Sequence, residues 1–276
     1  MGAPVDEGAP LDDAGAPLDA GAATDAEPPL DAADASGAAD TGVAGAAGSV
    51  QVSNTPGSWV STPDTRELSI TADLTLEVWA LTFSTGTPAY PSHYLISKWR
   101  SGGTTFLPRS YGMEFRWDGA VEAQGRIHFS VCPDGLNGSS ATSLVTPAMT
   151  VGTWHHVAVV YRASAGEASF YFDGAPLGSG AGLATSVLDG SAPLIIGGIA
   201  DAASTEPNLW NGRLAEVRVW SVARTAAEIA DNRYARLAPQ PGLVGYWPLG
   251  DGTDVSGYGH HVTASGDATF VSDSPF

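Results

Sequence analysis

Apolar and polar residues alternate along most of the chain after residue 50. The segments LTLEVWAL at 74–81, YGMEFRW at 111–117, RIHFSV at 126–131 and LAEVRVW at 214–220 show this alternation. Shorter apolar runs predict further strands at 94–99, 194–196, 243–249 and 270–271. Because frequent Gly and Pro separate these segments, the pattern predicts an all-β fold, a two-sheet antiparallel sandwich.

The strongest local prediction is a β-hairpin over residues 153–174, TWHHVAVVYRASAGEASFYFDG. Two short runs of β-branched and aromatic residues, 154–161 and 168–172, flank a polar connection that contains Gly. Asp173-Gly174 then supplies the positive-φ geometry of a tight turn. The run 154–161 is apolar on both faces, so we expect it to be covered on both.

One short helix is predicted at 225–230, where Thr225 and Glu228 stand at capping-box spacing. The alternation also assigns faces to the strands. In 214–220 the Ala and Val side chains should point into the core, and Glu216 and Arg218 should point away from it. Glu77 faces the same way as Arg218, and we expect the two to pair across neighbouring strands on a solvated face, which contributes at most about 1 kcal/mol.

Residues 1–49 differ from the rest, since they hold ten acidic residues and no Lys, Arg or aromatic residue. Ordering the backbone costs about 1–2 kcal/mol per residue. Apart from Met1, only five sizeable apolar side chains could offset this, each by about 1.5–3 kcal/mol: Val5, Leu11, Leu18, Leu30 and Val43. We therefore predict a disordered Ala/Gly/Pro/Asp-rich spacer over 1–49 and a single domain over 50–276.

The charge of the chain disfavours some partners. The formal net charge is −18: −10 on residues 1–49, and −8 on the remainder, where 12 basic residues stand against 20 acidic ones. Phosphate binding needs clustered Lys and Arg, so nucleic acid and anionic membranes are not expected as partners. No apolar run is long enough for a transmembrane helix, and we expect no membrane insertion by the domain. Cys132 is the single cysteine, so no internal disulfide is expected.

Seven segments follow one another in an order and spacing that extend over nearly all of residues 50–276. They are LTLEVWAL at 74–81, YLISKW at 94–99, TWHHVAVVY at 153–161, ASFYFDGAPL at 168–177, LIIGG at 194–198, WNGRLAEVRVWSVARTAAEI at 210–229 and LVGYWPLGDGTDVSGYG at 243–259. Together they resemble the laminin G-like (pentraxin-like) domain of the concanavalin A-like lectin/glucanase superfamily. The resemblance implies a jelly-roll of two curved sheets with a short helix after strand 214–220. Ala215 stands where the family usually has Asp before Glu216, which weakens any metal inference there.

Membership of this superfamily does not fix an activity, because it contains lectins, adhesion modules and glycoside hydrolases. Glycosidases need two carboxylates about 5–9.5 Å apart, and the hydrolases of this superfamily carry an E-x-D-x-x-E pattern that is absent here. Glu216 has Leu214 and Arg218 at the alternate positions instead of acids. We therefore predict that the domain is not an enzyme.

Calcium is the ion that the resemblance favours, and its ligands are hard oxygen atoms. Asp251 and Asp254 in DGTDVSG are the candidate ligands for one structural calcium. The alternative, which we favour, is that both Asp side chains cap local N–H groups and stabilise a turn. His155 and His156 point to opposite faces of a strand, so they do not form a metal pair, and His156 is expected to be a hydrogen-bonded structural residue.

Sugar binding would need an exposed aromatic ring with polar neighbours. Trp99, Trp210 and Tyr90 are the candidates, because each lies beside a long segment that is predicted as a loop. These loops are predicted at 82–93, 100–110, 132–152 and 199–211. Most of the eight Trp residues are nevertheless expected in the core.

The combined interpretation is a non-catalytic binding or adhesion module of an exported bacterial protein, with a carbohydrate or a surface protein as its ligand. No export signal is visible at the N terminus, and the spacer over 1–49 would serve as a tether to a lipid or cell-wall anchor, outside the cell. Two alternatives stay open. Close, poorly solvated carboxylates in a groove would favour a divergent glycoside hydrolase, and a surface without groove or aromatic ring would favour a purely structural domain.

Overall fold

The computed structural model describes residues 45–84, 92–101, 108–117, 125–135, 139–201 and 209–276. The predicted spacer over 1–49 lies outside the described residues except for its last five positions. Within those five, the Ala46 carbonyl oxygen already accepts a hydrogen bond from the Gly250 amide at 3.1 Å, and the first strand begins at Ser49.

Sixteen strands and one α-helix make up the described part of the chain. The strands are β1 (Ser49–Val52), β2 (Trp59–Thr62), β3 (Leu74–Thr82), β4 (Ser92–Ser101), β5 (Arg109–Trp117), β6 (Gly125–Val131), β7 (Ser140–Val145), β8 (Trp154–Arg162), β9 (Glu167–Phe172), β10 (Ala175–Ala181), β11 (Leu194–Ile196), β12 (Ala200–Asp201), β13 (Gly212–Trp220), β14 (Leu243–Trp247), β15 (Thr263–Ser265) and β16 (Thr269–Val271). The helix α1 spans Ala226–Asn232.

The strands form two sheets, which confirms the predicted jelly-roll sandwich. The first sheet has the order β10-β9-β8-β3-β13-β1-β16, with β14 also paired to β13. The second has the order β15-β2-β11-β4-β5-β6-β7, and β12 adds to β4 in parallel. The predicted hairpin is the pair β8–β9, and Asp173 and Gly174, with φ of 51° and 78°, turn the chain into β10.

The main core lies between the two sheets. Val157 and Val159 of the first sheet and Phe115 and Phe129 of the second belong to one buried apolar cluster. Burial of each such side chain stabilises the fold by about 1.5–3 kcal/mol. The alternation seen in the sequence therefore does mark the faces that pack together.

Helix α1 covers part of the outer face of the first sheet. Ile229 of the helix packs with Ala158, Val160 and Tyr171 in a separate apolar cluster, so β8 is covered on both faces as predicted. The capping box is also confirmed, because the Thr225 side chain accepts from the Glu228 amide and the Glu228 side chain accepts from the Thr225 amide. Among the described residues there is no helix with the length and hydrophobicity of a membrane span.

A β-bulge in β13 corrects the predicted facing of one residue. Between Ala215 and Arg218, β13 has one residue more than the opposing part of β3, and Glu216 there has a φ of 51°. Since a bulge shifts the alternation by one position, Leu214 rather than Ala215 lies in the main core.

Two edge strands were not predicted from the sequence. These are β7, within the predicted loop 132–152, and β10, which includes most of the Gly-rich run at 178–182. Both strands are largely exposed or half-buried, and both are rich in small and polar residues. They therefore lack the apolar alternation that reveals a strand in sequence.

Candidate functional site

The aromatic residues predicted to bind a ligand do not offer an exposed ring in the described part of the chain. Trp210 is 1% exposed and donates from Nε1 to the Leu81 carbonyl oxygen at 3.2 Å. Trp99 is 6% exposed, and the Arg109 guanidinium lies 5.4 Å from its ring centroid. Tyr90 lies outside the described residues. Ligand binding by these residues stays a prediction, and for either Trp it would require the surrounding chain to uncover a ring.

The predicted calcium ligands Asp251 and Asp254 accept hydrogen bonds from their own turn and, at Asp254, also from strand β14. Asp254 is buried, and its carboxylate accepts from the amides of Tyr246, Ser256 and His260 at 2.9–3.0 Å and from the Ser256 hydroxyl at 2.8 Å. Asp251 accepts from the Thr253 amide at 2.8 Å. Although burial opposes its charge, the hydrogen bonds from Thr253 lower the pKa of Asp251.

These contacts leave little room for a cation at the turn. Donor hydrogens point at both oxygens of Asp254, whereas a calcium ligand must direct its lone pairs to the metal. Within the described ranges, no three His, Cys, Asp or Glu side chains form a group that could hold a metal ion. The geometry favours the turn-stabilising interpretation, and calcium stays a prediction.

Glu77 and Arg218 pair across β3 and β13, as predicted, but not on a solvated face. Their side chains are 0% and 1% exposed, and the closest nitrogen and oxygen atoms are 3.9 Å apart. Glu77 also accepts from Trp220 Nε1 at 2.7 Å and lies 3.3 Å from His156 Nε2. Burial works against its charge, but His156 and the guanidinium groups of Arg218 and Arg224 lower the pKa of Glu77. His156 is buried, as expected of a structural residue, but its ring nitrogens make no hydrogen bond among the described residues, so the expected hydrogen bonding is not seen.

The segment after β13 covers these charges. Arg218 donates to the carbonyl oxygens of Asn232 at 2.9 Å and Ala235 at 2.6 Å, so it ties the end of α1 to the sheet. Glu216, 2% exposed, lies 3.3 Å from Arg218. Glu77 and Glu216 are thus poorly solvated carboxylates that share an arginine, but they lie under a covering segment rather than along a groove that a sugar could enter.

A surface cleft of about 500 Å³ opens at another place, between the β2–β3 connection and the loop after β14. We call it the Tyr258 cleft. Its volume is in the range of small-molecule sites. Its lining combines hydroxyl, charged and apolar side chains: Arg66, Glu67, Ser69, Ile70, Thr71, Ala72, Ser221, Val244 and Tyr258.

Tyr258 gives this cleft an exposed aromatic ring. The side chain is 52% exposed, and its ring stacks on His260 with a centroid distance of 5.8 Å and an interplanar angle of 5°. His260 itself is buried. Its Nε2 lies 3.4 Å from the Thr65 hydroxyl and 3.8 Å from the Glu67 carboxylate. The ring therefore rests on a residue that links the two sides of the cleft.

Buried groups hold the side of the cleft that carries Tyr258. Asp254 binds the amides of Ser256 and His260, on either side of the tyrosine. Trp247, which is fully buried, donates from Nε1 to the His260 carbonyl oxygen at 2.7 Å. The predicted cap at Asp254 thus positions an aromatic ring.

The opposite side is held by the chain's single lysine. Lys98 is fully buried, and its Nζ lies 2.6 Å from Asp64 Oδ1 and 3.1 Å from the Ala192 carbonyl oxygen. Asp64 Oδ1 also accepts from the hydroxyl of Ser69, a lining residue, at 3.1 Å. Tyr111 adds a hydrogen bond to the Leu68 carbonyl oxygen at 2.8 Å. This segment is therefore fastened to the interior at two points, Asp64 and Leu68, and the Ser69–Asp64 hydrogen bond braces it internally.

Neither Tyr258 nor Arg66 was among the residues that sequence reasoning selected. A usable signal was present in the string SGYGHH at 256–261. An aromatic residue between two glycines in a turn has few neighbours that can bury it, and both Gly257 and Gly259 have positive φ here. No comparable signal marks Arg66, because its place in the cleft depends on contacts that are distant in sequence.

The chain belongs to the concanavalin A-like lectin/glucanases superfamily, because a laminin G family model of that superfamily matches residues 53–230, more than half of the chain. The laminin G-like resemblance seen in the sequence is thereby confirmed.

Two solved structures share the fold. A native heptameric SAP-like pentraxin from Limulus polyphemus superimposes with a TM-score of 0.59 at 16% sequence identity, over 81% of this chain and 94% of the pentraxin chain. A putative carbohydrate-binding protein from Bacteroides ovatus has a TM-score of 0.55 at 17% identity, over 81% of this chain and 59% of that chain. At these identities the similarity establishes the fold alone.

Proposed function

We propose that the domain is a non-catalytic module that binds carbohydrate in the Tyr258 cleft. The observation that carries this proposal is the exposed, stacked ring of Tyr258 at the edge of a polar cleft. A tyrosine presents an apolar face together with a polar end. A pyranose likewise has an apolar C–H face, which would stack on the ring, and a rim of hydroxyl groups.

The remaining lining residues suit the hydroxyl rim of a sugar. Ser69, Thr71 and Ser221 carry hydroxyl groups that both donate and accept hydrogen bonds, and Ile70 and Val244 supply apolar surface. Small-molecule sites typically have a small number of polar groups at fixed positions in a cavity that is largely formed before the ligand binds. Of the solved structures with this fold, the Bacteroides ovatus protein is itself described as a putative carbohydrate-binding protein.

The carboxylates support binding rather than hydrolysis. Among the described residues that line the cleft, Glu67 is the only acid, whereas glycoside hydrolysis requires two. Two further acids, Glu77 and Glu216, share the buried Arg218 and lie outside the lining of the cleft. For the whole protein, we propose an exported, cell-surface location in which residues 1–49 act as an acidic spacer, with glycans first and surface proteins second among its ligands.

Glycan-array binding of the full-length protein tests the proposal, with Tyr258→Ala as the variant. Loss of the stacked ring should weaken binding about tenfold to a hundredfold, as expected when an aromatic contact of about 1.5–3 kcal/mol is removed. Tyr234→Ala is the matched control. Tyr234 is 54% exposed, does not line the cleft, and contacts Trp79 and Phe276 instead.

The two tyrosine variants should melt within a few degrees of each other, so that any difference in binding reflects the site. Absence of glycan binding by the wild-type protein, or equal binding by the wild type and Tyr258→Ala, would show that the proposed function is wrong.

A further inference from the structure

We propose that the ligand of the Tyr258 cleft is an anionic sugar, whose acidic group pairs with Arg66. This inference rests on the proposed carbohydrate-binding function and adds the chemical class of the ligand. The shared chemistry is an oxyanion on a sugar ring, which a hexuronate carboxylate or a sulfate ester would provide.

Arg66 is exposed, lines the cleft and has no ion-pair or hydrogen-bond partner for its guanidinium among the described residues. Acidic residues outnumber basic ones in this chain, 30 to 12. The two nearest acids in sequence are both directed elsewhere. Asp64 binds Lys98 at 2.6 Å, and Glu67 faces His260 at 3.8 Å. Neither of these two carboxylates therefore neutralises the guanidinium of Arg66.

The planar fork of an arginine matches an oxyanion. Guanidinium groups bind carboxylate and related anions through two parallel N–H···O hydrogen bonds, which are about twice as strong as neutral ones. Tyr258 shares the same cleft. A sugar that stacks on this ring would bring its acidic group to Arg66 and its hydroxyl groups to Ser69 and Thr71.

One acidic side chain of the cleft and the net charge of the whole chain both oppose an anionic ligand. Glu67 also lines the cleft, but its carboxylate lies toward His260. The net charge of −18 repels polyanions from the rest of the surface. Since exposed charges are screened beyond about 8 Å at physiological ionic strength, the direct contact with Arg66 should persist there, whereas nonspecific adsorption of a polyanion is disfavoured.

Matched glycan pairs test this inference on the full-length protein. An array would carry uronate and sulfated oligosaccharides beside their methyl-esterified and desulfated counterparts, and the best pair would be titrated by calorimetry. We expect the acidic member to bind at least about tenfold more tightly, the effect of one charge-assisted contact. Comparison of the uronate with the sulfated series identifies which oxyanion the site takes.

Arg66→Gln should remove the preference for the acidic member while binding of its neutral counterpart is retained. Arg66→Lys keeps the charge but loses the fork, so it should restore part of the preference. Arg126→Gln is the control, because Arg126 is also exposed and has no ion-pair partner among the described residues, but lies on β6. It should bind like the wild type.

The outcomes separate this inference from the proposed function. Equal binding of acidic and neutral sugars that still depends on Tyr258, or an unchanged preference in Arg66→Gln, overturns the anionic ligand and leaves carbohydrate binding intact. Absence of binding to every glycan, or binding that does not depend on Tyr258, overturns the proposed function itself.

Discussion

Replacement of Glu77 by Gln should destabilise the domain strongly. The Glu77 carboxylate is fully buried and lies 3.9 Å from Arg218 and 3.8 Å from Arg224. At such distances each attraction amounts to about 4 kcal/mol with an effective dielectric constant of about 20. Glutamine keeps an oxygen for Trp220 Nε1 and avoids a carboxylate desolvation cost of several kcal/mol. Because both attractions are lost, we expect a net decrease of about 3–5 kcal/mol in the free energy of unfolding.

Urea denaturation followed by tryptophan fluorescence measures this effect. An unchanged m-value would show that the variant exposes as much surface on unfolding as the wild type does. The control is Glu167→Gln, the same substitution at a half-buried position of β9 that has no ion pair among the described residues. It should stay within about 0.5 kcal/mol of the wild type. A loss below about 1 kcal/mol for Glu77→Gln would refute the reasoning, since it would mean that Glu77 is not needed to compensate the buried arginines.

The same variant yields a pH dependence. The pKa of Glu77 is lowered from its ordinary value of 4.5 in the folded state, so near that pH the unfolded chain binds more protons than the folded one. The stabilisation by Glu77 is therefore complete above about pH 4.5 and is lost as the pH falls through the folded-state pKa. The difference in stability between the wild type and Glu77→Gln should accordingly shrink below pH 4.5.

Two further predictions concern other polar contacts. Lys98→Met should lower the free energy of unfolding by about 1–3 kcal/mol, because the Gly190 and Ala192 carbonyl oxygens lose their donor. Amide hydrogen exchange should become faster in residues 64–72. An unchanged exchange rate there would contradict the role of Lys98 in fastening the cleft. Thr225→Ala removes the helix cap and should lower the free energy of unfolding, measured by urea denaturation, by about 1 kcal/mol. Thr225→Ser keeps the hydroxyl and should retain most of the stability. Equal losses in both variants would argue against the hydroxyl as the cap.

The sandwich could be predicted because period-two alternation has one physical cause. A side chain that points into the core must be apolar, and the Asp173-Gly174 turn and the Thr225 cap are set by local geometry alone. The edge strands β7 and β10 were missed because their residues are half-buried or exposed. The bulge at Glu216 was missed because nothing in the local sequence requires a positive φ at a glutamate.

The buried charges show a different limit. Glu77 and Arg218 were correctly placed together on the face away from the core, but alternation reports only that a face is polar. Whether water or another segment covers that face depends on long-range contacts, here those of Asn232 and Ala235 with Arg218. The loss of stability expected on removal of one partner therefore rises from at most about 1 kcal/mol for a surface ion pair to several kcal/mol for a buried one.

The candidate site could not be read from the sequence for a related reason. Large aromatic residues beside loops were selected, yet the ring of Trp210 fills the core, because a large apolar surface is most often buried. The exposed ring in the cleft belongs to Tyr258, and Arg66, which lines the same cleft, comes from a segment almost 200 positions away in the chain. Only the folded arrangement brings the two into one cleft.

The way in which this cleft is built bears on how it would bind. Its two sides are loops, and loops usually lose conformational entropy when a ligand orders them. Here Asp254 and Trp247 fix one side, and Lys98 fixes the other through Asp64. A cleft that is held by buried hydrogen bonds has already met much of this ordering cost during folding, so more of the contact energy with a sugar would appear as affinity. If the cleft binds a sugar as proposed, the polar groups that the sandwich buries beneath its loops would contribute to recognition without touching the ligand.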